Sequence, residues 1–387
     1  MSINKAKVSI CGNIFDYNLK IVRSGLEEVL DYIGGLSNYI NTGDTVLLKV
    51  NMLSPKKPVE AVTTHPNIVQ VMCEMIRELG AYPVVGDSSG GVTTKGSRTK
   101  HAFKLTEIEK ATQRGGGTIL NFDEVGAVKV ATENFNEIYI AKSIYEADII
   151  ISLPKFKTHG LTYFTGAIKN MYGVIPGTKK REYHRLYPDV WEFSKLLADL
   201  YWETKPDLNI MDGIWAMEGN GPSAGKRKDL GLLLASDDGV ALDEIASHII
   251  GFKPKQVKAI KIAHENGYGQ GDINNIELNK TVNKFKPDNF KHPSTSYVEM
   301  VPSGLIRTLM GQLGTIPEIN QSKCSKCGLC HQNCPVDAIE ISKQGQFKVK
   351  GQACIECLCC HELCPIHAVK LSSKGVLGRI YSKFKRT

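Results

Sequence analysis

Thirty residues apart near the C-terminus, the chain carries one cysteine pattern twice: Cys324, Cys327, Cys330 and Cys334-Pro335, then Cys354, Cys357, Cys360 and Cys364-Pro365. Three thiolates in so short a loop suit three corners of a 4Fe-4S cubane. The fourth cysteine, held apart by its Cys-Pro turn, reaches the cluster of the other repeat. The spacing therefore assigns Cys324, Cys327, Cys330 and Cys364 to one cluster, and Cys354, Cys357, Cys360 and Cys334 to a second. His331 and His361, Ala338 and Ala368, and Ile339 and Val369 keep the same offset, so the whole unit is duplicated.

This is the ligand spacing of a two-cluster bacterial-type ferredoxin, a module that moves electrons. Paired Cys-x-x-Cys elements also build zinc ribbons, but three cysteines plus one, closed by proline in both runs, favour iron-sulfur clusters. Cys359 stands outside the pattern, opposite Leu329 of the first repeat. It reads as a buried neutral thiol near the second cluster, with a swapped ligand as the alternative.

With 387 residues, 42% of them apolar, the chain exceeds one ordinary core and is too hydrophobic for disorder. One large domain or two smaller ones precede the ferredoxin unit. The sequence has no eighteen-residue apolar run, and its N-terminus lacks the uninterrupted apolar core of a signal peptide. Reduced cysteines then place the protein in the cytoplasm, in an anaerobic metabolism. Charge is uneven: residues 1–279 hold 32 Lys/Arg against 33 Asp/Glu, residues 280–387 hold 16 against 7. Lys374, Arg379, Lys383, Lys385 and Arg386 form a basic tail, read as solvated. Alternatively, with Val376, Leu377, Ile380, Tyr381 and Phe384 on one face, it is an amphipathic contact for an acidic electron donor or a peripheral membrane surface. No nucleic-acid motif accompanies the charge, and no nucleic-acid partner is expected.

Continuous apolar strands at 46–50, 82–85, 148–153 and 230–235 alternate with helical patterns at 66–79, 240–250 and 256–266. That alternation predicts an α/β fold of mostly parallel sheets flanked by helices. The expected organisation is an α/β domain with a candidate active-site cleft over 1–279, a connecting segment over 280–320, the ferredoxin domain over 321–372 and the basic tail over 373–387.

Two stretches carry candidate chemistry. The loop Gly86, Asp87, Ser88, Ser89, Gly90 and Gly91 follows a strand, where a parallel sheet opens its ligand crevice. Its N–H groups and hydroxyls suit a phosphate or carboxylate, and a tight structural turn is the equal alternative. From Leu153 to His184, Lys155, Lys157, His159, Lys169 and His184 gather among glycines at another strand end. Any one of them reads as an ordinary surface or hydrogen-bonded side chain; together they read as a site. Asp237 or Asp238 caps a helix, and Asp243, one turn inside, can orient a basic group in the cleft.

Lys49-Val50-Asn51, Thr63-Thr64-His65-Pro66, Val85-Gly86-Asp87-Ser88, LPKFKTHG, GAIKNMYGVIPG and the Ala235 to Ala241 segment together resemble the uncharacterised iron-sulfur proteins of the domain of unknown function 362 family. The resemblance covers nearly the whole chain and implies this architecture without supplying a reaction. More distantly, His159, Lys169, Pro176-Gly177 and His184 resemble the nickel-pincer lactate racemases. There, a lysine carries a nucleotide-derived cofactor and histidines bind nickel or move protons. That likeness implies an attachment or substrate role for Lys169 and acid/base or ligand roles for His159 and His184. Against it, Gly86-Asp87-Ser88-Ser89 stands where the racemases place a catalytic histidine, and Asn51-Met52-Leu53-Ser54-Pro55 replaces their Asp-x-Thr-Arg-Pro loop.

The expected function is a reductase. A low-potential ferredoxin or flavodoxin reduces two 4Fe-4S clusters, and a small anionic substrate or cofactor in the cleft receives the electrons, with Lys169, His159 and His184 supplying protons and charge stabilisation. The alternatives are an electron-transfer module that docks on a partner enzyme, and a metal-cofactor assembly protein.

Overall fold

The apolar runs that read as buried strands form the middle of one sheet in the computed structural model, which describes residues 5–91, 97–296 and 315–373. In chain order the strands of the large domain are β1 (Ala6–Cys11), β2 (Thr45–Val50), β3 (Tyr82–Asp87), β4 (Thr118–Asn121), β5 (Ala127–Val130), β6 (Ile138–Ala141), β7 (Ile149–Leu153), β8 (Lys155–His159), β9 (Tyr163–Thr165), β10 (Leu208–Glu218), β11 (Lys226–Ser236) and β12 (Ile276–Leu278). The main sheet runs β12-β1-β11-β10-β7-β2-β3-β4, with β8 paired to β10 and β9; β5 and β6 form a separate hairpin.

From β10 through β7, β2 and β3 to β4 every pairing is parallel. Antiparallel pairing enters where β11 folds back on β10 and meets β1. Helices cover both faces, so β2 and β7 are buried almost along their length, as their Val, Leu and Ile content requires. Gly86 and Asp87 belong to the end of β3 rather than to the loop after it.

Two local devices position the later site. Asp238 accepts hydrogen bonds from the Val240 and Ala241 N–H groups and caps the helix Gly239–Ile249. One turn on, Asp243 reaches out of that helix and accepts from the N–H groups of Ala167 at 2.6 Å and Ile168 at 3.0 Å. It thus caps the short helix Ala167–Asn170, which carries Lys169. The preceding residue must be glycine, because a Cβ at Gly166 would lie 1.9 Å from the Asp243 carboxylate.

After the large domain the chain stays on its surface: the His292 ring stacks on Phe252 at 4.3 Å, and the Ser294 N–H donates to Asn220. The ferredoxin unit pairs β13 (Thr315–Ile319) with β16 (Val369–Ser373) and β14 (Ile339–Ile341) with β15 (Phe347–Val349). Its core is small: Ile319, Ala338, Ile339, Phe347, Ala368 and Val369 pack around Cys334, Cys360 and Cys364. The basic tail over 373–387 lies, apart from Ser373, outside the described residues.

Replacing Gly166 with alanine should destabilise the large domain by about 1–3 kcal/mol, the usual cost of overpacking. Chemical denaturation would read this as a lower midpoint with unchanged iron content; an unchanged midpoint would show that the Asp243 cap does not pack as described.

Candidate functional site

At the carboxyl ends of β2, β3 and β8, where an α/β sheet presents its strand ends to ligands, lies a cavity of about 850 Å³ counting its open mouth. Its floor is an ion pair. Lys49, wholly buried at the end of β2, lies 3.1 Å from Asp87 Oδ1 and donates to the Val50 carbonyl; the other Asp87 oxygen accepts from the Met52 N–H. A Cβ on Gly173 would come within 2.4 Å of both charged groups, so only glycine lets this segment close over them.

A side-chain chain ties the wall to that floor. Lys157 donates to Asn51 Oδ1 and the Val62 carbonyl, Asn51 Nδ2 donates to Asn170, and Asn170 Nδ2 donates to the Lys49 carbonyl and to Ser152. Burial, only partly offset by Glu362, pushes the Lys157 ammonium down to about 7. The short helix ending at Asn170 is thereby fixed, and Lys169 projects from it. Its ammonium has no hydrogen-bond partner among the described residues and lies 5.2 and 4.9 Å from the Tyr172 and Phe193 ring centres, within cation–π range. The His184 ring stacks on the same Phe193 at 4.4 Å.

The roof comes from the second cysteine repeat. Its helix Cys359–Leu363 lies against the large domain, with Cys359, Glu362 and Leu363 lining the cavity. Ser223 Oγ donates to the Glu362 carbonyl at 2.6 Å, His361 meets the Asn220 carbonyl, and Lys56 donates to the Pro365 carbonyl. Leu358, which precedes the helix, holds φ 61°, a conformation the first repeat reaches with Gly328. The leucine occupies this unfavourable region because its side chain packs over Gly160, where a Cβ would sit 3.2 Å from Leu358 Cδ1.

Among the described residues, four polar atoms in this cavity are buried without a hydrogen-bond partner: His159 Nε2, His184 Nδ1, Thr165 Oγ1 and Glu362 Oε1. Buried polar groups are nearly always satisfied, so exceptions that converge on one cavity make it the candidate ligand site. Leu161 and Thr162 N–H groups point to His159 Nδ1 at 3.0 and 3.3 Å, which places the ring proton of the neutral imidazole on Nε2. That nitrogen lies 3.2 Å from Glu362 Oε1, close but not aligned as a hydrogen bond. Burial would raise the Glu362 carboxyl, but the bases around it, His159, then His184 and Lys169, hold it down to about 2. Burial and the Lys169 charge push His159 down to about 4, and burial does the same to His184. Both imidazoles are neutral at pH 7, so the counter-charge available to the Glu362 carboxylate is Lys169, whose ammonium burial disfavours and Glu362 in turn supports.

The structure thus brings Lys169, His159 and His184 together and seats Lys157 behind them. Lys155 is elsewhere: its ammonium donates to Asp212 at 2.6 Å and Tyr17 at 3.0 Å, a buried network under the His65 turn and outside the cavity lining. The anion cradle expected at Gly86, Asp87, Ser88, Ser89 and Gly90 is engaged internally. The Ser88, Ser89 and Gly90 N–H groups donate to Asp87, Thr99 and the Leu53 carbonyl, while Ser88 Oγ donates to Asp123. Asp87, Ser88 and Gly90 still line the cavity, as floor and wall. Thr165, Asn170, Lys49 and Glu362 escaped the sequence reading. For Glu362 a signal existed, since the first repeat has Gln332 at that position.

The eight patterned cysteines divide between two further cavities of about 320 Å³ each. Cys324, Cys327, Cys330 and Cys364 line one; Cys334, Cys354, Cys357 and Cys360 line the other. The Ala338 and Ala368 N–H groups donate to Cys334 and Cys364 sulfurs, both at 3.1 Å, as the repeat demands. Each cavity therefore offers four thiols around a space suited to a cubane, and none of the cysteines is in a disulfide.

Because the folded state holds His159 and His184 near 4 against an ordinary 6.5, the unfolded chain takes up protons first as pH falls. The histidine contribution to stability should be lost between pH 6.5 and 4, and the Glu362 carboxyl, held down to about 2, carries the fall on below pH 4. Urea midpoints across that range would read the slope; a His159→Gln/His184→Gln protein should show a flatter one, and an equal slope would contradict the assignment.

Family models match this chain to "Domain of unknown function (DUF362)" over residues 46–248 and to a 4Fe-4S binding domain over residues 317–340. A thylakoid-associated protein of Synechocystis is 31% identical over 246 residues, covering 62% of this chain and 74% of that one. Among solved structures, a protein from Thermotoga maritima overlaps 66% of this chain and 60% of its own, at TM-score 0.38 and 12% identity. The lactate racemase apoprotein from Thermoanaerobacterium thermosaccharolyticum overlaps 63% and 57%, also at TM-score 0.38 and 12% identity. This chain spans less than two thirds of either structure. With the family model matching over half of its length and a 31% identical relative largely covered, the chain belongs to the family described as domain of unknown function 362, here joined to a 4Fe-4S binding domain.

Proposed function

We propose that the protein is an iron-sulfur reductase whose second cluster serves a small-molecule site in the cleft. One observation carries the reading: the helix Cys359–Leu363 bears both Cys360, which lines the second cysteine cavity, and Glu362, which enters the cleft two residues later. A 4Fe-4S cluster held by Cys324, Cys327, Cys330 and Cys364 and another held by Cys354, Cys357, Cys360 and Cys334 would each supply one electron at a time. Zinc is disfavoured by the spacing, three cysteines plus one closed by proline in both repeats.

In the cleft, Lys169 neutralises an acidic group of the ligand or negative charge developing on it. His159 offers its Nε2 proton and Thr165 its hydroxyl as donors. His184, whose Nδ1 has no hydrogen-bond partner among the described residues, accepts or returns a proton, and Glu362 accepts from a ligand donor while balancing Lys169. A carrier with no substrate of its own has no use for four unpartnered polar atoms around one cavity, which disfavours the pure electron-transfer module. Nothing in this reading calls on nickel or a nucleotide-derived cofactor. We place the protein in the cytoplasm. Among the described residues no helix is long and apolar enough to cross a membrane, and the name of the thylakoid-associated relative favours peripheral contact as the form any membrane association would take.

Anaerobically isolated protein should hold about eight irons and eight sulfides. Cys364→Ala should damage the cluster built on Cys324, Cys327 and Cys330, whereas Cys359→Ala should leave both clusters intact by electron paramagnetic resonance. Zinc in place of iron, or cluster loss in the Cys359 variant, would defeat the ligand assignment.

Lys169→Ala should keep iron content and fold yet weaken binding of small carboxylates such as oxalate at least tenfold in titration calorimetry. Unchanged affinity would remove the cleft from the mechanism.

A further inference from the structure

The two cysteine repeats match in sequence but not in their surroundings. Cys357 is buried against the large domain, while its counterpart Cys327 is exposed, as are its neighbours Ser325 and Lys326. Leu358 and Cys359 of the second repeat are covered; Gly328 and Leu329 of the first remain partly open. The second cysteine set therefore lies beneath the cleft roof, while the first has one edge, at Cys327, open to solvent.

The substitutions between the repeats also change the charge. Lys323 and Lys326 stand where the second repeat has Ala353 and Glu356. Lys326 Nζ lies 3.7 Å from where a Cβ of Gly345 would sit, beside the turn that carries Lys343. Lys323, Lys326 and Lys343 are all exposed, and among the described residues none has a carboxylate partner. The cavity of the first cysteine set also has Ile366 in its wall, a large apolar side chain left 41% exposed. An exposed cysteine at the edge of such a cavity, with one apolar contact and unpaired charges around it, has the anatomy of a short-lived electron-transfer interface. There, charge sets the encounter rate and little area is buried.

We propose that the face formed by Cys327, Ile366, Lys323, Lys326 and Lys343 is the docking site for a small acidic protein electron carrier, and that electrons enter the molecule there. The inference rests on the reductase reading for the direction of flow. In each encounter one electron leaves the reduced carrier and is accepted at the Cys324, Cys327, Cys330 and Cys364 site; no bond forms or breaks and no proton is required. Lysines at this face also explain why the entry side is the first repeat: Glu356 in the second repeat would repel the same partner.

The test uses the full-length, cluster-loaded protein, a chemically reduced acidic 2Fe-2S ferredoxin as the carrier, and photoreduced deazariboflavin as a neutral small reductant. Cluster bleaching followed by stopped flow should give a second-order rate with the ferredoxin that falls at least tenfold from low to high salt. The Lys323→Glu/Lys326→Glu/Lys343→Glu protein should lose at least tenfold at low salt while its reduction by deazariboflavin and its iron content stay unchanged. Calorimetric binding of the oxidised ferredoxin should weaken in parallel, a readout that needs no electron flow. An unchanged ferredoxin rate and affinity in the charge-reversed protein would overturn the docking face, as would equal slowing with the neutral reductant. Because cluster reduction is read rather than turnover, a failed cleft assignment would leave these results as expected, which separates the two readings.

Discussion

Everything in this molecule that bears on chemistry depends on how Glu362 is held. It is a carboxylate from the ferredoxin unit placed inside the cleft of another domain, with Lys169 as the charge that balances it and His159 at 3.2 Å. Burying an unpaired carboxylate would cost several kcal/mol, so the counter-charge in the cleft favours the closed roof, which the Ser223, His361 and Lys56 hydrogen bonds hold in any case. Conversely, Lys169, with no hydrogen bond of its own, would be a poorly compensated cation without the roof. Each domain therefore leaves the other with an unsatisfied charge, and their mutual placement follows from that pairing together with the Leu358, Ser223, His361 and Lys56 contacts.

The large domain reads as a device for fixing Lys169 within this geometry. Asp243 caps its helix, Asn170 ties the end of that helix to β2 and β7, and the rings of Tyr172 and Phe193 flank the ammonium. None of these residues need touch a ligand. Their effect is to leave the lysine one orientation, which matters when a charge must sit opposite developing negative charge rather than relax toward it.

The strands, the helix caps and both cysteine sets were legible in the sequence because each is a local pattern. Period, spacing and capping residues lie within a few positions of one another. His159, Lys169 and His184 were legible as a group for the same reason, lying in one stretch at a strand end. Lys155 was misplaced because spacing cannot tell which of two buried lysines finds a carboxylate: Asp212, 57 residues away, takes Lys155, while Lys157 turns to Asn51. The glycine loop lines the cavity, but its donors are engaged internally for a related reason, since Thr99, Asp123 and Leu53, which take them, are distant in sequence. Glu362 lay hidden inside a cysteine motif whose regularity drew attention to the sulfurs and away from the differences between the repeats.

The proposed coupling joins the cleft, where Cys359 acts on Lys169, and the second cysteine cavity in one electrostatic unit that leaves the first cysteine cavity outside. It is tested most directly by an anaerobic redox titration of both clusters, resolved by paramagnetic resonance, in wild type and in Lys169→Ala. Removing a buried positive charge disfavours reduction of whatever cluster lies near it. The account predicts that the cluster whose signal is lost on changing Cys354 shifts to lower potential, and that the other keeps its potential. A shift of neither cluster, or of the one bound by Cys324, Cys327 and Cys330 instead, would contradict it.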